Sequence, residues 1–128
     1  MKINQALLAR SLIALLFVVA GYQKLIGFAG TVAYVGSLGV PVPQAATALI
    51  IIIEIVVALA FAYGYRVCLM GWILAGFIAL TTVLVHHDFA VGVNMVMALK
   101  NIAIIGGIWA VIQSCDCMNC MVPKTSKK

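Results

Sequence analysis

The chain has 128 residues, 66% of them hydrophobic and only 9% charged, with a mean hydropathy of +1.21. Charged residues make up about a quarter of an ordinary soluble domain, so this balance excludes one and points to a single membrane domain. The formal net charge is +5, but the basic residues lie mostly at helix ends and in the tail, where they act as topology signals and lend nucleic-acid binding no support.

The first apolar run predicts a helix over residues 4–26, with Arg10 near one end and Lys24 near the other. Its start resembles a secretory signal, but the apolar character continues past Ala20 to a length that spans a bilayer, so the helix is expected to be retained. Residues 27–43 are richer in glycine and end at Pro41 and Pro43; Phe28, Val32, Val35 and Leu38 recur at helical spacing. That pattern fits a short interfacial helix as well as a plain connection. The second span covers residues 44–63 and ends in the aromatic and basic turn Tyr63-Gly64-Tyr65-Arg66. A third follows over 67–85, delivering His86, His87 and Asp88 at its exit, and a fourth over 95–112. Gly106 and Gly107 in the fourth predict close helix packing.

The expected fold is therefore an all-α membrane protein, a bundle of four transmembrane helices over residues 1–112 with a polar, cysteine-containing basic tail over 113–128. Four spans put both termini on one side. Lys2, Arg10, Arg66, Lys124, Lys127 and Lys128 fall there, against Lys24 and Lys100 toward the other, and the positive-inside rule assigns that side to the cytoplasm.

Polar residues in such spans carry the functional signal. Glu54 stands alone near the middle of the second span, where an unpartnered carboxylate costs at least ~2.5 kcal/mol. It therefore calls for a partner inside the bundle, and both Lys100 and Arg10 are within side-chain reach by helical rise. Arg10, Phe17, Gly21 and Lys24 share one face of the first helix, which is expected to point inward. Taken singly, Lys24 and Arg10 read first as snorkelling and topology residues. His86-His87-Asp88 has acid–base and metal-ligand chemistry, but adjacent histidines on a helix point about 100° apart and do not suit one ion. Cys115, Cys117 and Cys120 form a C-x-C-x-x-C cluster, with Cys68 expected at the same membrane face. Four thiolates suit zinc or copper(I); the opposing reading is a set of reduced thiols on a cytoplasmic tail, where a structural disulfide is disfavoured.

The runs Gly21-Tyr22-Gln23-Lys24-Leu25, Phe28-Ala29-Gly30-Thr31-Val32-Ala33-Tyr34 and Gly39-Val40-Pro41-Val42-Pro43, followed in order by Glu54, His86-His87-Asp88-Phe89, Asn94-Met95 and Lys100-Asn101, resemble the DoxX family of small bacterial membrane proteins. The resemblance implies a multi-pass inner-membrane protein. It also implies an association with membrane oxidoreductase systems, since the family name comes from a subunit linked to a thiosulfate:quinone oxidoreductase. Lys24, Glu54, His86, Lys100 and Asn101 match its recurring polar positions, whereas the tail from Gln113 lies outside the pattern.

The expected function is an accessory or quinone-interacting subunit, with lipids and other oxidoreductase subunits or a second copy as partners. Glu54, His86 and Lys100 are the expected chemical groups, and Lys24, His87, Asn101 and Arg10 the expected contacts to a quinone-like ligand. The chain has no complete haem, flavin or nicotinamide signature. Two other readings stay open: a transporter or metal-handling protein using Glu54 and the cysteine tail, and a structural subunit whose buried charges only specify packing.

Overall fold

The computed structural model describes residues 3–85, 90 and 92–115. Four long helices follow one another: α1 (Ile3–Ile26), α3 (Pro43–Tyr63), α4 (Val67–Val85) and α5 (Gly92–Ser114), with a shorter α2 (Phe28–Ser37) between the first two. Each long helix is apolar and long enough to cross a membrane. The fourth starts three residues earlier than expected, at Gly92 rather than Met95, and runs on to Ser114. Of the two readings of residues 27–43, the helical one holds.

Helix α1 packs against α3 and α5, and α4 packs against the same two, so the four spans form a square with α1 and α4 across a diagonal. Where α1 meets α3 and where α4 meets α5, the approach is set by glycine. A Cβ built on Gly21 would lie 2.7 Å from Ile55 Cγ1 and 3.0 Å from Glu54 Cβ; one on Gly71 would lie 2.9 Å from Ile112 Cδ1 and 3.2 Å from Phe61 Cε2. In a membrane, where lipid tails are as apolar as leucine, this kind of close packing holds helices together. The expectation placed on Gly106 and Gly107 is corrected: nothing lies within 4 Å of a Cβ at Gly106, and at Gly107 the nearest atom is Ile13 Cδ1 at 3.8 Å. Both fall on parts of α5 that no neighbouring backbone approaches closely.

The apolar core is confined to one half of the bundle. Phe61, Leu74, Ile108 and Cys68 are completely buried there, together with Ala14 and Ala58. At the same end the chain reverses through Gly64 (φ 99°) into α4, and Tyr63, Tyr65, Trp72 and Trp109 are exposed around the turn. The two tryptophan rings are 6.4 Å apart. Aromatic residues so placed form a belt at a membrane–water interface. Leu12, Val56, Leu80 and Leu99 are exposed farther along the bundle; in a bilayer such a surface is solvated by lipid, not a liability.

Helix α3 is not uniform. Residues Ile53–Val57 form a π-helical turn between two α-helical halves, and Glu54 lies in it. The run is rich in β-branched residues and has neither Gly nor Pro to mark the irregularity, so nothing in the sequence announces it. Its buried stripe runs Thr47, Ile51, Glu54, Ala58, Phe61. Thr47 is fully buried and its hydroxyl has no hydrogen-bond partner among the described residues. An unpaired buried hydroxyl costs about 1–3 kcal/mol, so Thr47→Val, which keeps the shape and removes the orphan, is expected to raise stability by about 1 kcal/mol. Thermal unfolding of the two proteins in the same detergent measures this; a loss of stability would mean that the hydroxyl has a partner in the membrane.

Candidate functional site

Beyond the packed half, toward the α2 end, the helices part around a cavity of about 490 Å³. All five helices contribute to it. Its wall is mainly apolar, from Leu16, Ile50, Phe77 and Ile104 among others, and its polar groups are Lys24, Glu54, Thr31, Tyr34, Thr81, Lys100 and Asn101. The volume lies in the range of small-ligand sites, and a few polar groups in an apolar wall is their usual composition.

The charged centre is the pair Lys24–Glu54. Lys24 Nζ donates to both carboxylate oxygens, at 2.9 Å to Oε1 and 3.0 Å to Oε2. Glu54 keeps 7% of its side-chain surface exposed and Lys24 32%. The geometry follows from the helices. Glu54 is eleven residues into α3, about 16 Å from its start, while Lys24 is two residues from the end of α1. Gly21, one turn before Lys24, lets α3 approach until Glu54 Cβ lies just 3.0 Å from where a side chain would begin, and the lysine stem covers the rest. Paired in this way, a carboxylate at mid-membrane depth has its charge compensated.

This corrects two expectations. Glu54 pairs with Lys24, and neither Lys100 nor Arg10 makes the contact. Lys24 does not snorkel to the surface; the inward face of α1 carries it to Glu54. Phe17 and Gly21 on that face are buried, as expected.

Arg10 lies at the other end of the bundle. Its guanidinium packs against Gly64, with Nη1 and Nη2 each 3.4 Å from a Cβ placed there, and its Nε is buried without a partner among the described residues. A cation at the C-terminus of α3 complements the helix dipole, which gives Arg10 a structural position away from the cavity.

Lys100 lines the cavity, is exposed, and makes no ion pair among the described residues. Asn101 Nδ2 donates to Thr82 Oγ1 at 2.8 Å, and Thr82 Oγ1 donates to the Ile78 carbonyl at 2.7 Å, a short chain that ties α5 to α4 beside the cavity. Tyr34 and Thr81 are cavity residues that the sequence reading missed. On α2 the face turned to the cavity carries Thr31, Tyr34, Val35 and Leu38, so only half of the expected stripe Phe28, Val32, Val35, Leu38 points there. His86, His87 and Asp88 lie outside the described residues.

Of the four cysteines, Cys68 is fully buried in the core. Cys115 is a free thiol packed against the core. Cys117 and Cys120 lie outside the described residues. Among the described residues no group of three His, Cys, Asp or Glu side chains is placed to hold a metal ion.

Comparison with known proteins places this architecture. The DoxX family pattern matches residues 5–87. Inner membrane protein YqjF of Escherichia coli is 41% identical over 101 residues, covering 79% of this chain and 76% of its own length. Inner membrane protein YphA of the same organism is 33% identical over 105 residues, covering 78% and 75%. No solved structure matches.

Proposed function

Because the chain belongs to the DoxX family and is a multi-pass inner-membrane protein, we propose that it serves a membrane oxidoreductase system as an accessory subunit whose cavity receives a quinone-like ring from the bilayer. The observation that carries this reading is the Lys24–Glu54 pair, set near the middle of the second span in a mainly apolar cavity. A hydrophobic, oxygen-bearing ring matches that composition: the wall takes the ring, and the pair offers it a hydrogen-bond donor.

Quinone reduction to the quinol takes two electrons and two protons. In this reading the electrons come from the partner subunits, and the chain supplies position and a proton route. Lys24 Nζ, held by Glu54, keeps a third N–H to donate to a ring oxygen. As negative charge develops on that oxygen, the ammonium stabilises it, and a proton transferred from Lys24 leaves the amine beside Glu54. Glu54 then serves as the acceptor through which the site is reprotonated. Its pairing and burial hold it where the ring oxygen arrives.

The test is mass spectrometry of what co-purifies in mild detergent with the wild type and with Glu54→Gln. A quinone retained by the first and lost from the second is the expected result. Absence of any quinone from the wild type, purified from cells that make it, would count against the reading. Partner subunits retained equally by both proteins would leave the accessory role and remove the ligand from it.

A further inference from the structure

We infer that the cavity prefers amphiphiles whose head group carries a single negative charge on oxygen, and that Lys100 is the group that recognises it. The inference rests on the proposal that the cavity is a ligand site, and it names the charge class of what enters.

Among the described residues the cavity holds Lys24, Glu54 and Lys100 as charged groups. The first two cancel across a bidentate contact of 2.9 and 3.0 Å, which leaves one positive charge, on Lys100. Lys100 is eight residues into α5, about 12 Å along the helix, at a depth where a cation without a counter-charge is unfavourable. Of its neutral polar neighbours in the cavity, Thr31, Thr81 and Asn101 each have a donor committed, while the Tyr34 hydroxyl carries no charge with which to compete for an anion. Thr31 Oγ1 donates to the Gly27 carbonyl, Thr81 Oγ1 to the Ile78 carbonyl, and Asn101 Nδ2 to Thr82 Oγ1. The Lys100 ammonium makes no hydrogen bond among the described residues, so it offers three N–H donors and a full charge at the exposed edge of an apolar hollow. A tail in the hollow and one anionic oxygen at Lys100 is the complementary ligand, and such an anion compensates the charge that the described residues leave open. A fatty carboxylate and an acidic hydroxyquinone both carry that chemistry.

Three probes, titrated onto the purified full-length protein in neutral-lipid nanodiscs at pH 7, separate the possibilities: a 2-hydroxy-3-alkyl-1,4-naphthoquinone, which is ionised; its 2-methoxy ether, which is neutral; and palmitate. The hydroxy compound is expected to bind about tenfold more tightly than the ether, corresponding to about 1.4 kcal/mol. Lys100→Gln is expected to bring the two to parity, and Lys100→Arg to restore the preference, which a variant that merely misfolds would not allow. Equal affinity of the two naphthoquinones for the wild type overturns the inference and leaves ring binding intact. Palmitate binding that depends on Lys100, with neither naphthoquinone bound, supports the anion site and overturns the ring reading. Binding of none of the three overturns both.

Discussion

Glu54→Gln is expected to destabilise the bundle by about 3 kcal/mol, and replacing both partners, Lys24→Met with Glu54→Leu, to recover most of that loss. The single change leaves the Lys24 ammonium directed at a neutral amide in a largely apolar cavity, and removing one member of a buried pair costs about 3–5 kcal/mol. The lower end applies because Lys24 keeps 32% of its side-chain surface exposed and can partly withdraw. The double change removes both charges together, so no uncompensated ion remains, and apolar replacement of a buried pair is often neutral or better. Equilibrium unfolding of the wild type, Lys24→Met, Glu54→Leu and the double variant in one detergent closes a double-mutant cycle. Additive losses would show that the contact contributes nothing, and that the two residues act separately. The same cycle separates function from architecture: if ligand retention is lost in the stable double variant, the pair serves the cavity chemically as well as structurally.

Gly21→Val is the second large effect, expected at about 3 kcal/mol of destabilisation together with loss of the Lys24–Glu54 contact. Overpacking a well-packed interface costs about 1–3 kcal/mol. The upper end is expected because even the first carbon of a new side chain would lie 2.7 Å from Ile55 Cγ1 and 3.0 Å from Glu54 Cβ. Ile55 is part of a side chain and can turn; Glu54 Cβ is fixed to the backbone, so α3 itself must move away. That displacement carries the carboxylate from the lysine. Gly76→Ala is the matched control, because a Cβ there meets nothing within 4 Å, and its effect is expected to stay within about 0.5 kcal/mol. If Gly21→Val unfolded no earlier than Gly76→Ala, the close approach of α1 to α3 would not be what positions the pair.

Both predictions rest on residues whose roles the sequence reveals unequally. The four spans were legible because length and apolar composition dictate them in a bilayer, and the inward stripe of α1 because helical periodicity places Phe17, Gly21 and Lys24 on one face. Glu54 stood out because a lone acid at that depth calls for compensation. Its partner was not legible: the distance between two side chains on different helices depends on how closely the helices approach, and here that is set by Gly21. The same limit explains Gly106 and Gly107, since small residues permit close packing without saying which neighbour uses it. No residue type in Ile53–Val57 signals the π-helical turn, which has neither Gly nor Pro. Tyr34 was missed for another reason. The stripe Phe28, Val32, Val35 and Leu38 suits an interfacial helix as well as a plain connection and makes the apolar side the informative one, whereas α2 turns Thr31 and Tyr34 toward the cavity.

The central claim is that the hollow half of the bundle, and not its surface, receives a ring-bearing ligand beside Lys24 and Glu54. Photolabelling with a bilayer-soluble azido-quinone, followed by peptide mapping, tests it most directly. The account predicts label on cavity residues of several helices at once, such as Leu16, Tyr34, Ile50 and Thr81, suppressed by excess unlabelled quinone and by Glu54→Gln. Label confined to the outward-facing Leu12, Val56 and Leu99, or spread without competition, would contradict it.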